Sequence, residues 1–202
     1  EIQGNLIGFD PIVHYTNWLI ESGDSNARLR ISFERLRNHF ANTCVIVDEM
    51  YGVSRGYLTR LLGEIGIRYQ VIHSERDPSL PGLEYANPEE PFINSLKLEV
   101  RKTEDAILGL GMDTDADRFG VVDQDGTYFR PNQVLPMLVR YLGIDRKENG
   151  RIIATQTGSP LIEILAAKIP HNQQYKPNTN VVPAYIDHPF YQRRIGKREA
   201  RI

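Results

Sequence analysis

Residues 43–73 read TCVIVDEMYGVSRGYLTRLLGEIGIRYQVIH and decide the fold. The two ends of this stretch, 43–47 and 68–73, are short runs of β-branched and aromatic residues, a pattern typical of strands. Between them, residues 54–65 carry apolar side chains at helical spacing, and Gly66 is well placed to end a helix. A strand, a helix and a strand in this order form a βαβ unit with parallel strands. The sequence therefore predicts an α/β fold built on a parallel sheet.

The flanking patterns extend this sheet and cover it with helices. Helical spacing of apolar residues predicts further helices at 9–21 and 89–101, and the stretch 29–40 between them is interpreted as either a second helix or a long connection. An apolar run predicts the third strand at 106–112. The runs 119–122 and 127–129 flank Asp-Gln-Asp-Gly, which predicts a hairpin. We therefore expect a mostly parallel sheet flanked by helices, with an antiparallel hairpin after the third strand.

A second α/β unit begins near the end of the chain. A helix is predicted at 132–142 and closed by Gly143, and the polar segment 147–150 then marks a boundary. A strand at 151–155 and a helix at 159–168 follow it, whereas the region from Pro170 onward is predicted to be loop-like or poorly ordered. This pattern predicts two domains, residues 1–148 and 149–202.

Composition limits the classes of function. The 202 residues include 41% hydrophobic and 25% charged residues, with a net charge of −2, so no basic field points to nucleic acid. There is no apolar run of eighteen residues, so we expect no membrane span. The first residues lack the features of a signal peptide, and a cytoplasmic location is predicted. The single cysteine, Cys44, lies in an apolar run and is expected to be buried and inert.

The chemistry of the chain is concentrated in the loop Asp113-Thr114-Asp115-Ala116-Asp117-Arg118, directly after the third strand. In a loop, alternate side chains can converge, so Asp113, Asp115 and Asp117 can offer three hard oxygen ligands. Three carboxylates this close repel one another unless a cation compensates them. Mg²⁺ prefers such oxygen ligands and shares its shell with phosphate, and Arg118 adds a cation suited to a phosphoryl group. The loop therefore predicts a Mg²⁺ site for phosphoryl transfer.

The acidic loop also has three other interpretations. A solvated acidic turn is common, but three aspartates at strict alternate spacing are not. An EF-hand needs Gly at its sixth position and Glu at its twelfth, where this chain has Arg118 and Gln124. A phosphatase of the haloacid-dehalogenase type would use Asp113 as its nucleophile, and this alternative stays open.

The loop resembles the metal loop of the α-D-phosphohexomutases, the phosphoglucomutases and phosphomannomutases, which typically reads Asp-Gly-Asp-(Ala/Gly)-Asp-Arg. Only Thr114 departs from that pattern. Other stretches resemble the family in order and spacing, over roughly residues 9–168; they are 48–58, 77–88, 119–126 and 131–135. Leu80 and Pro81 stand where the family commonly has Phe and Gly. The similarity corresponds to the second domain of these enzymes and the start of the third.

The resemblance implies an isomerase of carbohydrate metabolism that moves a phosphoryl group between C1 and C6 of a hexose phosphate. It implies Mg²⁺ on Asp113, Asp115 and Asp117, shared with a phosphoserine of another domain. It also implies a catalytic Arg118 near that phosphoserine and the substrate. The printed sequence contains neither a Ser-His-Asn-Pro phosphoserine motif nor a Gly-Glu-x-Ser-Gly sugar loop.

We therefore expect the chain to be inactive without the missing family domains or a partner segment that carries the phosphoserine. The alternatives are a stand-alone Mg²⁺-dependent phosphatase and a non-catalytic metal-binding or interaction module.

Several other residues are expected to be structural. His73 ends a predicted strand, and Tyr51-Gly52 is interpreted as a packing turn. Trp18 and Tyr15 are expected in the core or on an interdomain surface, and the basic residues between 193 and 201 are expected to be solvated or disordered.

Overall fold

A computed structural model describes residues 8–24, 31–148, 152–154, 158–169 and 181–183. The chain divides into two compact units, Glu1–Arg130 and Pro131–Ile202. This division precedes the predicted domain boundary at 148/149, which stays a prediction. The described helices include none with the length and hydrophobicity that crossing a bilayer requires.

The first unit is a five-stranded sheet with helices on both faces, as the sequence predicts. Its helices are α1 (Pro11–Asp24), α2 (Phe33–His39), α3 (Tyr57–Glu64) and α4 (Asn94–Lys102). Its strands are β1 (Cys44–Asp48), β2 (Tyr69–Ile72), β3 (Ala106–Met112), β4 (Phe119–Asp123) and β5 (Tyr128–Phe129). The sheet order is β2-β1-β3-β4-β5. The three strands β2, β1 and β3 are parallel, and β4 and β5 are added antiparallel, so the predicted α/β class is confirmed.

The central strand β1 explains how the core is built. Every residue of β1 is buried, because helices cover both faces of the strand, and its first four residues are accordingly an unbroken apolar run. Cys44 and Ile46 face a cluster that includes Leu96 and Val100 of α4. Val45 and Val47 face the opposite cluster, which includes Leu62 of α3. The buried thiol of Cys44 agrees with the prediction of an inert cysteine.

Some predicted helix limits are wrong for local reasons. Helix α3 begins at Tyr57 rather than at residue 54, because Gly56 just before it has a left-handed backbone, with φ +85°. Helix α4 begins at Asn94, because residues 89–93 form turns in which Ile93 N donates to Glu89 O at 3.1 Å. Gly66 ends α3 with φ +75°, as predicted.

The second unit contains α5 (Pro131–Arg140), β6 (Ile152–Ala154), α6 (Pro160–Ala167) and β7 (Val181–Pro183). The strand predicted at 151–155 and the helix predicted at 159–168 are confirmed as β6 and α6. The Ser159 hydroxyl accepts from Leu161 N and caps α6. Gly143 does not end a helix: it is buried inside a π-helical turn, Tyr141–Asp145, that continues α5. The loop predicted from Pro170 onward is wrong at β7, which pairs with β6 in parallel. The predicted basic tail lies outside the described residues.

Candidate metal centre

The acidic loop occupies the connection between β3 and β4. Asp113 directly follows β3, and Phe119 opens β4. Ala116 N donates to Asp113 O at 3.2 Å, and Ala116 takes a left-handed φ of +62°, so the chain reverses within six residues. The loop thus stands at the carboxyl edge of the parallel strands, where α/β sheets bind their ligands.

The three aspartates converge as the sequence predicts. Asp113, Asp115 and Asp117 each offer a carboxylate oxygen, and these oxygens all lie within 4.8 Å of one another. Asp113 is fully buried, whereas Asp115 and Asp117 are exposed. One carboxylate is therefore fixed by the fold, and the other two face solvent.

Hydrogen bonds hold the Asp113 carboxylate in place. Its Oδ1 accepts from the backbone N–H groups of Asp117 and Arg118, both at 3.1 Å, and its Oδ2 accepts from Arg118 Nε at 2.6 Å. Burial raises the pKa of Asp113, but the hydrogen bonds and charge of Arg118 outweigh burial and bring the pKa below its ordinary value of 3.8. Asp113 is therefore a fixed anion at neutral pH.

The outer two carboxylates repel each other. The negative charge of Asp115 is the largest cause of the raised pKa of Asp117. Arg118 contributes less there, because its Nε lies 3.7 Å from Asp117 Oδ1 and is engaged with Asp113. This residual repulsion at the solvent side is what a bound cation would remove.

Arg118 lies on Asp113 rather than pointing wholly into solvent. Its Nη1 also donates to Asn87 Oδ1 at 3.2 Å. These contacts use two of the five N–H groups of the guanidinium, and the side chain is 52% exposed. Arg118 can therefore orient Asp113 and still meet an anion from solvent. Sequence reasoning missed the Asn87 contact, because it joins segments about thirty residues apart.

The turn after β1 supports the loop. A Cβ on Gly52 would lie 2.7 Å from Thr114 Cα and 2.8 Å from Thr114 O, so only glycine fits there. The next residue, Val53, donates its N–H to Thr114 O at 2.9 Å. Gly52 thus has the packing role that the sequence indicated, and the partner it packs against is the acidic loop itself.

Sequence reasoning missed the buried acids at the end of β1. Asp48 and Glu49 are both fully buried. Burial raises the pKa of Glu49, although Gly56 N donates to its Oε1 at 2.8 Å and lowers that pKa in part. Asp48 accepts from His73 at 2.8 Å, in accord with a structural role for that histidine. The available signal was two acidic residues directly after the unbroken apolar run 44–47.

Trp18 and Tyr15 of α1 do not lie in the core. Their exposures are 56% and 47%, so the part of the prediction that placed them in the core is wrong.

Comparison with known proteins agrees with this architecture. A family model described as phosphoglucomutase/phosphomannomutase, alpha/beta/alpha domain II, matches residues 24–126. A Methanopyrus kandleri protein named as a probable phosphoglucosamine mutase is 27% identical over 160 residues, 76% of this chain and 35% of the relative. A Staphylococcus saprophyticus phosphoglucomutase is 29% identical over 135 residues, which cover 62% of this chain and 24% of the relative. The chain thus spans about a third of the length of its curated relatives, or less.

Two solved structures show the same fold. A Thermus thermophilus structure described as a candidate phosphomannomutase covers 90% of this chain and 38% of its own, with a TM-score of 0.70 and 22% identity. A Paramecium parafusin (phosphoglucomutase) structure covers 79% of this chain and 28% of its own, with a TM-score of 0.63 and 19% identity. The described α/β architecture is therefore that of this group of proteins.

Proposed function

Because the chain belongs to the phosphoglucomutase/phosphomannomutase family through its domain II, we propose that it supplies the metal-binding part of a phosphohexomutase. The reaction would move a phosphoryl group between C1 and C6 of a hexose phosphate through a bisphosphorylated sugar. The observation that carries this proposal is the convergence of Asp113, Asp115 and Asp117 within 4.8 Å at the end of β3.

The donor set suits Mg²⁺. All three donors are hard carboxylate oxygens, and opposite oxygens of a Mg²⁺ octahedron lie about 4.2 Å apart. Since the largest separation allowed here is 4.8 Å, modest rotation of the exposed Asp115 and Asp117 side chains would bring the three oxygens within that span. Asp113 is already held by its hydrogen bonds, so part of the site is preorganised. Asp113, Asp115 and Asp117 would hold the ion.

Bound Mg²⁺ would neutralise charge that develops on the transferring phosphoryl group. Arg118 would act beside it in two ways. Its Nε fixes Asp113, and the rest of its half-exposed guanidinium would donate to a phosphate oxygen. The loop would therefore offer one metal site and one fixed cation on the same side of the sheet.

A stand-alone phosphatase is disfavoured by the surroundings of Asp113. A nucleophilic carboxylate must reach the phosphorus atom, yet Asp113 is 0% exposed. Both of its oxygens also accept hydrogen bonds, from Asp117 and Arg118. These contacts support the role of a metal ligand for Asp113 over that of an attacking group.

The substrate would be a hexose phosphate, and the partner would be the segment of the whole protein that carries the phosphoserine. The printed sequence contains no Ser-His-Asn-Pro motif, and the chain matches only 35% of the Methanopyrus relative. The site is therefore proposed as composite, with the phosphoryl carrier outside these residues. A cytoplasmic location stays a prediction from the sequence.

Metal binding by the wild-type chain tests this proposal. We would titrate the chain with Mn²⁺, follow free Mn²⁺ by electron paramagnetic resonance, and then displace it with Mg²⁺. Saturable binding should weaken at least about tenfold in Asp115→Asn and in Asp117→Asn, because each loses a charged ligand. Asp125→Asn is the matched control: it removes one exposed aspartate charge from the hairpin turn, where an amide oxygen can still accept from Thr127 N.

Two results would count against the metal site. One is wild-type binding that Asp115→Asn and Asp117→Asn leave unchanged. The other is an equal loss in Asp125→Asn, which would show only a response to net charge.

A further inference from the structure

Asp48 and His73 form a partly buried pair that the proposed chemistry does not use. Asp48 ends β1 and is fully buried, and His73 directly follows β2 with its side chain 17% exposed. His73 Nδ1 donates to Asp48 Oδ1 at 2.8 Å in the tautomer that carries its proton on Nδ1. The pair therefore ties the ends of two neighbouring parallel strands together.

The same carboxylate shapes the turn that follows β1. Asp48 Oδ1 also accepts from Met50 N at 3.0 Å. Met50 and Tyr51 then take left-handed φ values of +42° and +59°, which are uncommon for residues with a side chain and need outside support. Part of that support comes from His73, whose carbonyl oxygen accepts from Tyr51 N at 2.9 Å. His73 itself has φ +49°.

This turn ends directly on the acidic loop. Gly52 packs against Thr114 so closely that no Cβ fits, and Val53 N donates to Thr114 O at 2.9 Å. The Thr114 peptide lies between Asp113 and Asp115. A shift of the turn would therefore move the backbone that carries two of the three carboxylates.

We propose that Asp48 and His73 are positioning residues for the acidic loop, acting through the turn at residues 50–53. Neither touches the carboxylates of the loop in the contacts described above. Their effect on metal affinity rests on the proposed metal site, whereas their effect on the position of Thr114 does not. The second effect is therefore measurable without any metal.

Two substitutions of His73 differ in how well they suit its left-handed backbone and in whether they keep a hydrogen-bond donor. His73→Asn keeps an N–H donor near Asp48 and tolerates a positive φ, because asparagine and histidine are both enriched there. His73→Leu removes the donor and suits that backbone poorly. Leu62→Ala, in the core cluster beneath α3, is the control for a general loss of stability.

Two measurements on the full chain separate the possibilities. The first is hydrogen exchange of the Val53 amide by NMR without metal. It should rise about tenfold or more in His73→Leu and stay close to wild type in His73→Asn. The second is the Mn²⁺ titration, where His73→Leu should bind about tenfold more weakly and His73→Asn should be restored. Leu62→Ala should keep wild-type Mn²⁺ affinity despite its lower stability.

The outcomes distinguish the support of the acidic loop by His73 from the proposed metal site. Unchanged protection of Val53 in His73→Leu overturns the inference whether or not the chain binds Mn²⁺. So does a His73→Asn variant as impaired as His73→Leu. If Val53 responds as expected but the wild-type chain shows no saturable Mn²⁺ binding, the support of the loop stands and the proposed metal function fails.

Discussion

Asp113 and Asp115 belong to one acidic loop but have opposite surroundings. Asp113 is buried and accepts three hydrogen bonds, two from backbone N–H groups and one from Arg118 Nε. Asp115 is exposed, and its charge raises the pKa of Asp117. Two residues with the same proposed role as ligands should therefore differ sharply in their contribution to folding.

We expect Asp113→Ala to lower the free energy of unfolding by about 2–4 kcal/mol, because it leaves buried donors and the Arg118 cation without their partner. Asp115→Ala should change it by no more than about 0.5 kcal/mol, as is usual for exposed sites. Urea unfolding of both variants and wild type at pH 7 measures the difference. Equal stabilities of the two variants would contradict the structural role of Asp113.

Asp113 should also make the free energy of unfolding depend on pH, and the direction of its pKa shift gives the sign of that dependence. The folded pKa of Asp113 lies below its ordinary value of 3.8, so the unfolded state takes up its proton first as the pH falls. The contribution of Asp113 is therefore present above pH 3.8 and is lost as the pH falls through the folded pKa. The stability gap between wild type and Asp113→Ala should narrow accordingly in acid.

At the scale of elements, the sequence predicted the helices and strands that depend on the local pattern of apolar residues. The run Cys44-Val45-Ile46-Val47 indicated a buried strand, and both faces of β1 are indeed covered. The start of α3 could not be predicted, because it depends on left-handed residues in the preceding turn, which periodicity does not report. The convergence of the three aspartates followed from their spacing, whereas the Arg118–Asn87 contact depends on tertiary structure.

Two glycines in different elements should respond to alanine in opposite ways. Gly63 lies in α3, where a Cβ would make an ordinary contact of 3.8 Å with Tyr69 Cε1, so Gly63→Ala should stabilise the chain by up to about 1 kcal/mol. Gly120 lies in β4 against the segment before α4. A Cβ there would overlap Pro88 O and lie 2.6 Å from Ile93 Cδ1.

Gly120→Ala should therefore cost about 2–3 kcal/mol through overpacking. Urea unfolding of both alanine variants gives the comparison. A stabilised Gly120→Ala protein would show that β4 does not pack as closely on the Pro88 segment as described.

At the scale of the whole molecule, the proposed site is divided. The described residues provide carboxylates and a cation at one sheet edge, and the family resemblance places the phosphoryl carrier and the sugar loop elsewhere. This division explains why the sequence predicts the metal site, which lies in one short loop, but does not predict which sugar phosphate is the substrate. The residues that would read the sugar are not among those that form the loop.

The divided site predicts how phosphoryl chemistry depends on a second segment. The chain alone should not hydrolyse p-nitrophenyl phosphate above background, because Asp113 is too buried to attack. When the family segments that carry the phosphoserine and the sugar loop are supplied, glucose 1-phosphate or mannose 1-phosphate should be converted to the 6-phosphate. Asp115→Asn should lower that rate by about a hundredfold or more, since a catalytic metal contributes several kcal/mol.

Phosphate release and hexose 6-phosphate formation can be measured in parallel, with Asp125→Asn as the control. Hydrolysis of p-nitrophenyl phosphate by the chain alone, abolished by Asp113→Asn, would instead establish the phosphatase alternative.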